Sequence, residues 1–136
     1  MVSRLAANVN RAIVAVLWVE AQELQAGLAG ALTRIASPHA CVLVDCLTLW
    51  VSNLLGLGRN PALEGDDLLS TLAGLAGPVV FVSNEVGLGL VPETPLGRAF
   101  RDAQGRLNMR MAERADRVVL MAAGLPLLMK DRPVRT

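Results

Sequence analysis

Two acids stand where apolar runs end. Asp45 closes Val42-Leu43-Val44, and Glu85 follows Phe81-Val82-Ser83-Asn84. A carboxylate at the carboxyl end of a buried strand is where nucleotide enzymes hold Mg²⁺, directly or through water. The same placement suits a plain helix N-cap, and for Asp45 alone the two readings weigh equally. A second acid at a neighbouring strand end, opening the glycine-rich stretch EVGLGLVPE (85–93), favours a site for an anionic ligand. Gly87 and Gly89 lack the third glycine of a dinucleotide fingerprint, and a turn explains them as well. No G-x-x-x-x-G-K-[ST] loop occurs in the sequence. Arg98, Arg101, Arg106 and Arg110 could meet phosphate, although a charged stripe on an amphipathic helix is more often a solvated face. The only histidine, His39, sits beside Pro38 in a turn, so neither a Ser/His/Asp nor a Cys/His set can be assembled, and no metal-ligand cluster is visible. Cys41 and Cys46 flank one apolar strand, too far apart along it to bridge. Both read as reduced core thiols, which points to the cytoplasm.

Those residues need a scaffold, and the composition bounds it. A length of 136 residues suits one domain, 1–136, with a real core. The apolar fraction of 53% suits strands buried on both faces. Thirteen Lys and Arg against 12 Asp and Glu give no basic face, and there is no Tyr for base stacking, so nucleic acid is excluded as a partner. The longest apolar stretch, 41–58, is broken by Asp45, Ser52 and Asn53, so nothing reaches the ~18–20 residues of a membrane span. Arg4 and Arg11 before the run Ala12 to Val19 imitate a secretory signal only weakly. The run is short, and Glu20 stands where a small residue is wanted.

The elements follow from periodicity. Leu24, Leu28, Ala31, Leu32 and Ile35 lie at helical spacing over 20–36, a helix ended by Ser37-Pro38-His39. CVLVD (41–45) reads as a buried strand, and 47–58 as a helix closing at Gly56 or Gly58. Residues 59–65 read as a loop, with a helix from Asp66 and Asp67 to about Ala76. PVVFVSN (78–84) is the clearest strand. Thr94 and Pro95 are a good N-cap and first position for a helix running to Ala115. Its stripe is Leu96, Ala99, Phe100, Ala103, Leu107 and Met111, and its other face carries Arg98, Arg101, Asp102, Arg106 and Arg110. RVVLMAAG (117–124) is a third strand, and the tail from Lys130 is polar. Strands alternating with helices give the α/β class with a parallel sheet.

Two stretches say more. LVDCLTLWVSNLL (43–55) and the segment 81–127, with its S-N-E-V-G-x-G-x-V-P and R-x-F-R-D-x-x-G-R-x-N patterns, closely resemble the adenosylcobinamide kinase/adenosylcobinamide-phosphate guanylyltransferase family. With a weaker match over 1–36, the resemblance covers nearly the whole chain. It implies a P-loop NTPase-like α/β fold, assembled as a trimer, and two activities in adenosylcobalamin (vitamin B12) biosynthesis. The first is ATP- or GTP-dependent phosphorylation of adenosylcobinamide. The second is GMP transfer from GTP onto that phosphate through a guanylylated histidine. It implies Asp45 as the acidic nucleotide position, with Mg²⁺ nearby, and Glu20 as a GTP contact. Asn84, Glu85, Arg98, Arg101, Asp102 and Asn108 match motif positions that imply a substrate or phosphate site.

The departures carry equal weight. The family opens with a strand and a G-G-x-R-S-G-K-S loop that this sequence does not contain. Its M-x-x-R-[IL]-x-x-H pattern lines up with Met1 to Asn8, which puts Asn8 in place of the guanylylated histidine. A parallel P-loop domain lacking its first strand would leave two strand edges and apolar surface open, a gap the run AIVAVLWV (12–19) could fill in part. Two readings follow: a family enzyme truncated at its N-terminus, or a catalytically inactive short paralogue acting as a binding or oligomerisation partner.

Overall fold

The computed structural model describes residues 2–5, 15–20 and 27–132. In chain order the elements are β1 (Val2–Leu5), β2 (Ala15–Glu20), α1 (Leu28–Ile35), β3 (Ala40–Asp45), α2 (Leu47–Gly56), α3 (Pro61–Leu72) and β4 (Val79–Val82), then a 3-10 turn (Val86–Leu88), α4 (Pro95–Arg114), β5 (Arg117–Ala122) and β6 (Leu125–Asp131). The strands make one six-stranded sheet in the order β2-β3-β4-β1-β5-β6. β2, β3 and β4 are parallel neighbours. β1 runs antiparallel to both β4 and β5, so those two run the same way with a reversed strand between them. The class is α/β, with a parallel half of the P-loop type and an antiparallel half beside it.

The core explains why the parallel half is ordered. Along β3 and β4 every second residue is buried: Ala40, Val42 and Val44, then Val79 and Phe81. These pack against Leu28 and Leu32 of α1, Trp50, Val51 and Leu54 of α2, Leu68 of α3, and Leu107 and Met111 of α4. The helices touch one another in the pairs α1–α3, α2–α3, α2–α4 and α3–α4, and so form one connected layer. The alternate strand residues Cys41, Leu43, Asp45, Val80 and Val82 are only half-buried.

Four details differ from the sequence expectation. The slot between β4 and β5 is filled by Val2–Leu5, so neither strand is left with an open edge there. The run 12–19, which could have filled part of that gap, pairs instead over its described residues, as part of Ala15–Glu20, with β3 at the outer edge of the sheet. Helix α3 begins at Pro61 rather than at Asp66, because Asn60 Oδ1 accepts the Ala62 N–H at 2.9 Å and proline has no N–H to satisfy. The described helix before β3 begins at Leu28, since Glu20 ends a strand.

Residues 125–131 form a strand because Ala123 (φ 51°) and Gly124 (φ 77°) both adopt left-handed backbone, the requirement of a two-residue hairpin turn. Lys130 then reaches back, its Nζ donating to the carbonyls of Ala112 at 2.7 Å and Glu113 at 2.9 Å near the end of α4. Arg117 donates twice to Asp131 at 3.0 Å, and this hydrogen-bonded carboxylate raises the arginine's pKa above its ordinary value.

Candidate functional site

The carboxyl ends of β2, β3 and β4 share one edge of the sheet, the usual ligand edge of such folds. Glu20 and Asp45 are register partners and the last residues of adjacent strands, so their carboxylates project from neighbouring positions on one face. Glu20 is exposed and Asp45 half-buried. Cys46 follows in extended backbone and opens α2. Beside Glu20, a cleft of about 390 Å³ runs between β2 and α1, lined by Trp18, Val19, Arg34 and Ile35 among others.

At the end of β4 the chain is fixed by a buried polar network. Ser83 Oγ donates to Asn108 Oδ1 at 2.6 Å, and Gln104 Nε2 donates to Ser83 Oγ and to Asn108 Oδ1, both at 2.8 Å. Asn108 Nδ2 in turn donates to the Asn84 carbonyl at 3.0 Å, and the Asn84 N–H donates to Thr48 Oγ1 at 2.8 Å. Thr48 lies in the first turn of α2, just after Asp45, so this last bond ties the β4 edge to the β3 edge. Gln104 is fully buried, with 0% exposure, and its Oε1 has no partner. A buried amide with one empty acceptor is costly by about 1–3 kcal/mol, and the network around it must outweigh that.

Beyond Asn84 the loop is held at several points. Glu85 Oε1 accepts the Gly87 N–H at 3.2 Å and caps the 3-10 turn. Arg101 Nη2 donates to the Gly87 carbonyl at 2.9 Å, while Arg98 Nη1 donates to Pro92 O at 3.1 Å and Glu93 O at 2.7 Å. Thr94 Oγ1 caps α4 by accepting the Gly97 N–H at 3.1 Å. A Cβ at Gly97 would lie 2.7 Å from Pro92 Cβ, so only glycine lets the loop close against the helix's first turn.

The structure thus gathers Glu20 with Asp45, and Asn84 and Glu85 with Arg98, Arg101 and Asn108. Asp102 is not among them. It lines a second cleft of about 430 Å³ between α3 and α4, with Asn60, Arg106 and Arg110, the last paired with Asp66. Asn8 lies outside the described residues. No described helix is long and apolar enough to cross a membrane.

Residues 6–129 match the family described as cobinamide kinase/cobinamide phosphate guanyltransferase, CobU. The chain belongs to the CobU family. It is 44% identical over 109 residues to the bifunctional adenosylcobalamin biosynthesis protein CobP of Pseudomonas aeruginosa, covering 79% of this chain and 63% of that protein. It is 38% identical over 114 residues to the CobU protein of Salmonella typhimurium, covering 73% of this chain and 63% of the relative. The CobU protein of Escherichia coli is 36% identical over 109 residues, covering 69% of this chain and 60% of the relative. The chain therefore spans about three fifths of the length of the curated relatives it matches.

Three members of this CobU-family edge escaped the sequence reading: Thr48, Ser83 and Gln104. Thr48 was hidden inside an apolar helix. Gln104 and Asn108 carried a usable signal, two amides four apart on the stripe that also holds Leu107 and Met111. Polar residues at core positions of an amphipathic helix have to be hydrogen-bonded, and that requirement points to a network.

Proposed function

We propose that this chain works in adenosylcobalamin biosynthesis. It would be part of an enzyme that phosphorylates adenosylcobinamide with ATP or GTP and transfers GMP from GTP onto the new phosphate. The observation that carries the reading is the pairing of Glu20 with Asp45 at the carboxyl edge of a parallel sheet, in a chain of the CobU family. Asp45 would hold Mg²⁺ with the nucleotide phosphates, and Glu20 would contact the GTP. Mg²⁺ takes oxygen ligands and needs only one or two carboxylates, with phosphates and waters completing its shell. Two adjacent acids suit that role, and among the described residues no group of three or more metal-ligating side chains competes for it. When bound, the ion offsets charge on the phosphates. Asn84 and Glu85 face the acceptor substrate, while Arg98, Arg101 and Asn108 act through the loop and strand end they hold.

The guanylyl half of this activity is impaired by Asn8. An amide nitrogen shares its lone pair with its carbonyl, so it neither attacks phosphorus nor leaves as imidazole does, and no covalent GMP intermediate can form there. Asn8 also favours a second reading, in which the chain is a silent copy that binds or assembles with an active one. In the enzyme reading the working form is a cytoplasmic homo-oligomer, and in either reading the exposed Leu125, Leu127, Leu128 and Met129 of β6 support association.

Incubation of the chain with labelled GTP, Mg²⁺ and adenosylcobinamide tests these statements. The expected result is no protein-bound GMP from the unchanged chain. Asn8→His, combined with an upstream G-G-x-R-S-G-K-S loop that this sequence does not contain, is expected to trap label if the enzyme reading holds, and to trap none if the silent reading holds. Labelled GMP on the unchanged chain would overturn the impairment.

A further inference from the structure

The motif loop and the first turn of α4 carry four exposed large apolar side chains, two of them the most exposed among the described residues. Leu90 is 95% exposed, Leu88 82%, Leu96 65% and Val91 63%. Single exposed apolar side chains are ordinary, but three leucines and a valine within nine positions concentrate exposed apolar surface in one segment, and such concentrations mark interaction surfaces. This patch does not hang on a loose loop. Its backbone is pinned by Arg101 at Gly87, by Arg98 at Pro92 and Glu93, and by Glu85 at Gly87. Its base is tied to α2 through the Asn84–Thr48 bond, directly after Asp45. The chain therefore holds an ordered apolar surface beside the acids that serve the nucleotide.

The charge of this surface limits what fits it. Val86 to Val91 contains no ionisable residue. Around it, the two acids Glu85 and Glu93 are balanced in number by Arg98 and Arg101, whose guanidiniums donate to the loop's own carbonyls, so the segment is apolar at its tip and carries no net formal charge at its flanks. A nucleotide with its phosphates is a poor complement to such a surface. A large ring with methyl-covered faces and neutral amide arms is a good one, because it buries apolar area and meets the loop's carbonyls with N–H donors.

We infer that Leu88, Leu90, Val91 and Leu96 form the platform for the apolar ring of the cobinamide substrate, separate from the nucleotide edge at Glu20 and Asp45. The inference rests on the function proposed above and deepens it by dividing the two substrates between the β4 edge and the β2–β3 edge. In this arrangement Arg98 and Arg101 are positioning residues that act through the loop.

The test is a pair of titrations on the full 136-residue chain, cobinamide followed by its visible absorbance and GTP followed by calorimetry. The double variant Leu88→Ser/Leu90→Ser changes only exposed side chains, so its fold is expected to hold, which circular dichroism checks. Losing the burial of two leucines is expected to weaken cobinamide about tenfold or more, with GTP affinity within about twofold. Leu63→Ser, on a leucine of α3 that is 65% exposed, controls for general loss of apolar surface and is expected to change neither. Unchanged cobinamide affinity in the double variant overturns the inference, and a simultaneous shift to smaller species in sedimentation would assign the patch to a second copy. Equal weakening of GTP would also overturn it. If the unchanged chain takes up no cobinamide at all, the proposed function fails first and the platform with it.

Discussion

One sheet contains two regions of opposite character. In β3 and β4 alternate residues are buried against the helices, whereas in β5 only Val118 is buried and every residue of β6 except the half-buried Lys130 is exposed. The sequences do not foretell this. LPLLMKD carries four Leu or Met side chains in seven residues, enough for an apolar face, and both it and ACVLVD are paired into the same sheet. The difference lies in what is laid over each. The chain between β2 and β4 places three helices over the parallel half, while β5 and β6 are joined by a two-residue turn that brings no covering element. Burial here is a property of connections more than of strands, and the candidate site lies on the half whose strand ends are held in place.

The sharpest way to break this comparison is to remove one large side chain from each region. Phe81→Ala empties a fully buried position between helix and sheet and is expected to cost about 3–5 kcal/mol. Leu127→Ala, on a residue 55% exposed, is expected to stay within about 0.5 kcal/mol. Urea unfolding at fixed protein concentration measures both. Similar losses would mean that β6 is covered in solution and that the two regions are not different in kind.

A smaller effect separates polar from apolar cohesion within the ordered half. Asn108→Leu keeps the volume close but leaves the Ser83 hydroxyl, the Gln104 amide and the Asn84 carbonyl short of a partner, for an expected loss of about 2–3 kcal/mol. Gln104→Met also removes two hydrogen bonds, but it abolishes the orphaned Oε1, so its expected loss is smaller, about 1 kcal/mol. If Gln104→Met proves the more damaging, the orphaned oxygen has a partner in solution, and the network is larger than the described contacts.

What was legible in the sequence divides along the same line. The strands 41–45 and 78–84 and the capped helix from Pro95 were readable because each is local: a β-branched run, or an N-cap followed by proline. Asp45 and Glu85 were found because acids closing apolar runs are conspicuous. That Glu20 stands level with Asp45 was not readable, since register between strands depends on how the chain between them packs. Nor was the reversal of β1, because four residues fix no direction until partners are available on both sides. The α4 stripe was half right. Leu107 and Met111 are buried, but Leu96 is exposed, because the first turn of the helix projects past the layer that covers the rest.

The smallest effect on stability carries the most information about the hairpin region. Leu125, Leu127, Leu128 and Met129 lie 55–71% exposed on an edge strand whose outer backbone groups face no described strand. Such an edge invites pairing with another chain, and charge placed on it is the usual defence. Leu128→Lys adds that defence at a position more than half exposed. The monomer's stability is expected to change by no more than about 0.5 kcal/mol, while any association through this strand weakens. Sedimentation velocity across a concentration series reads the two apart. A shift of the variant toward the 14.4 kDa species, with wild-type remaining larger, would make the exposed half an interface that one copy cannot complete. Identical profiles would place the contact elsewhere and leave the hairpin's apolar residues as plain surface.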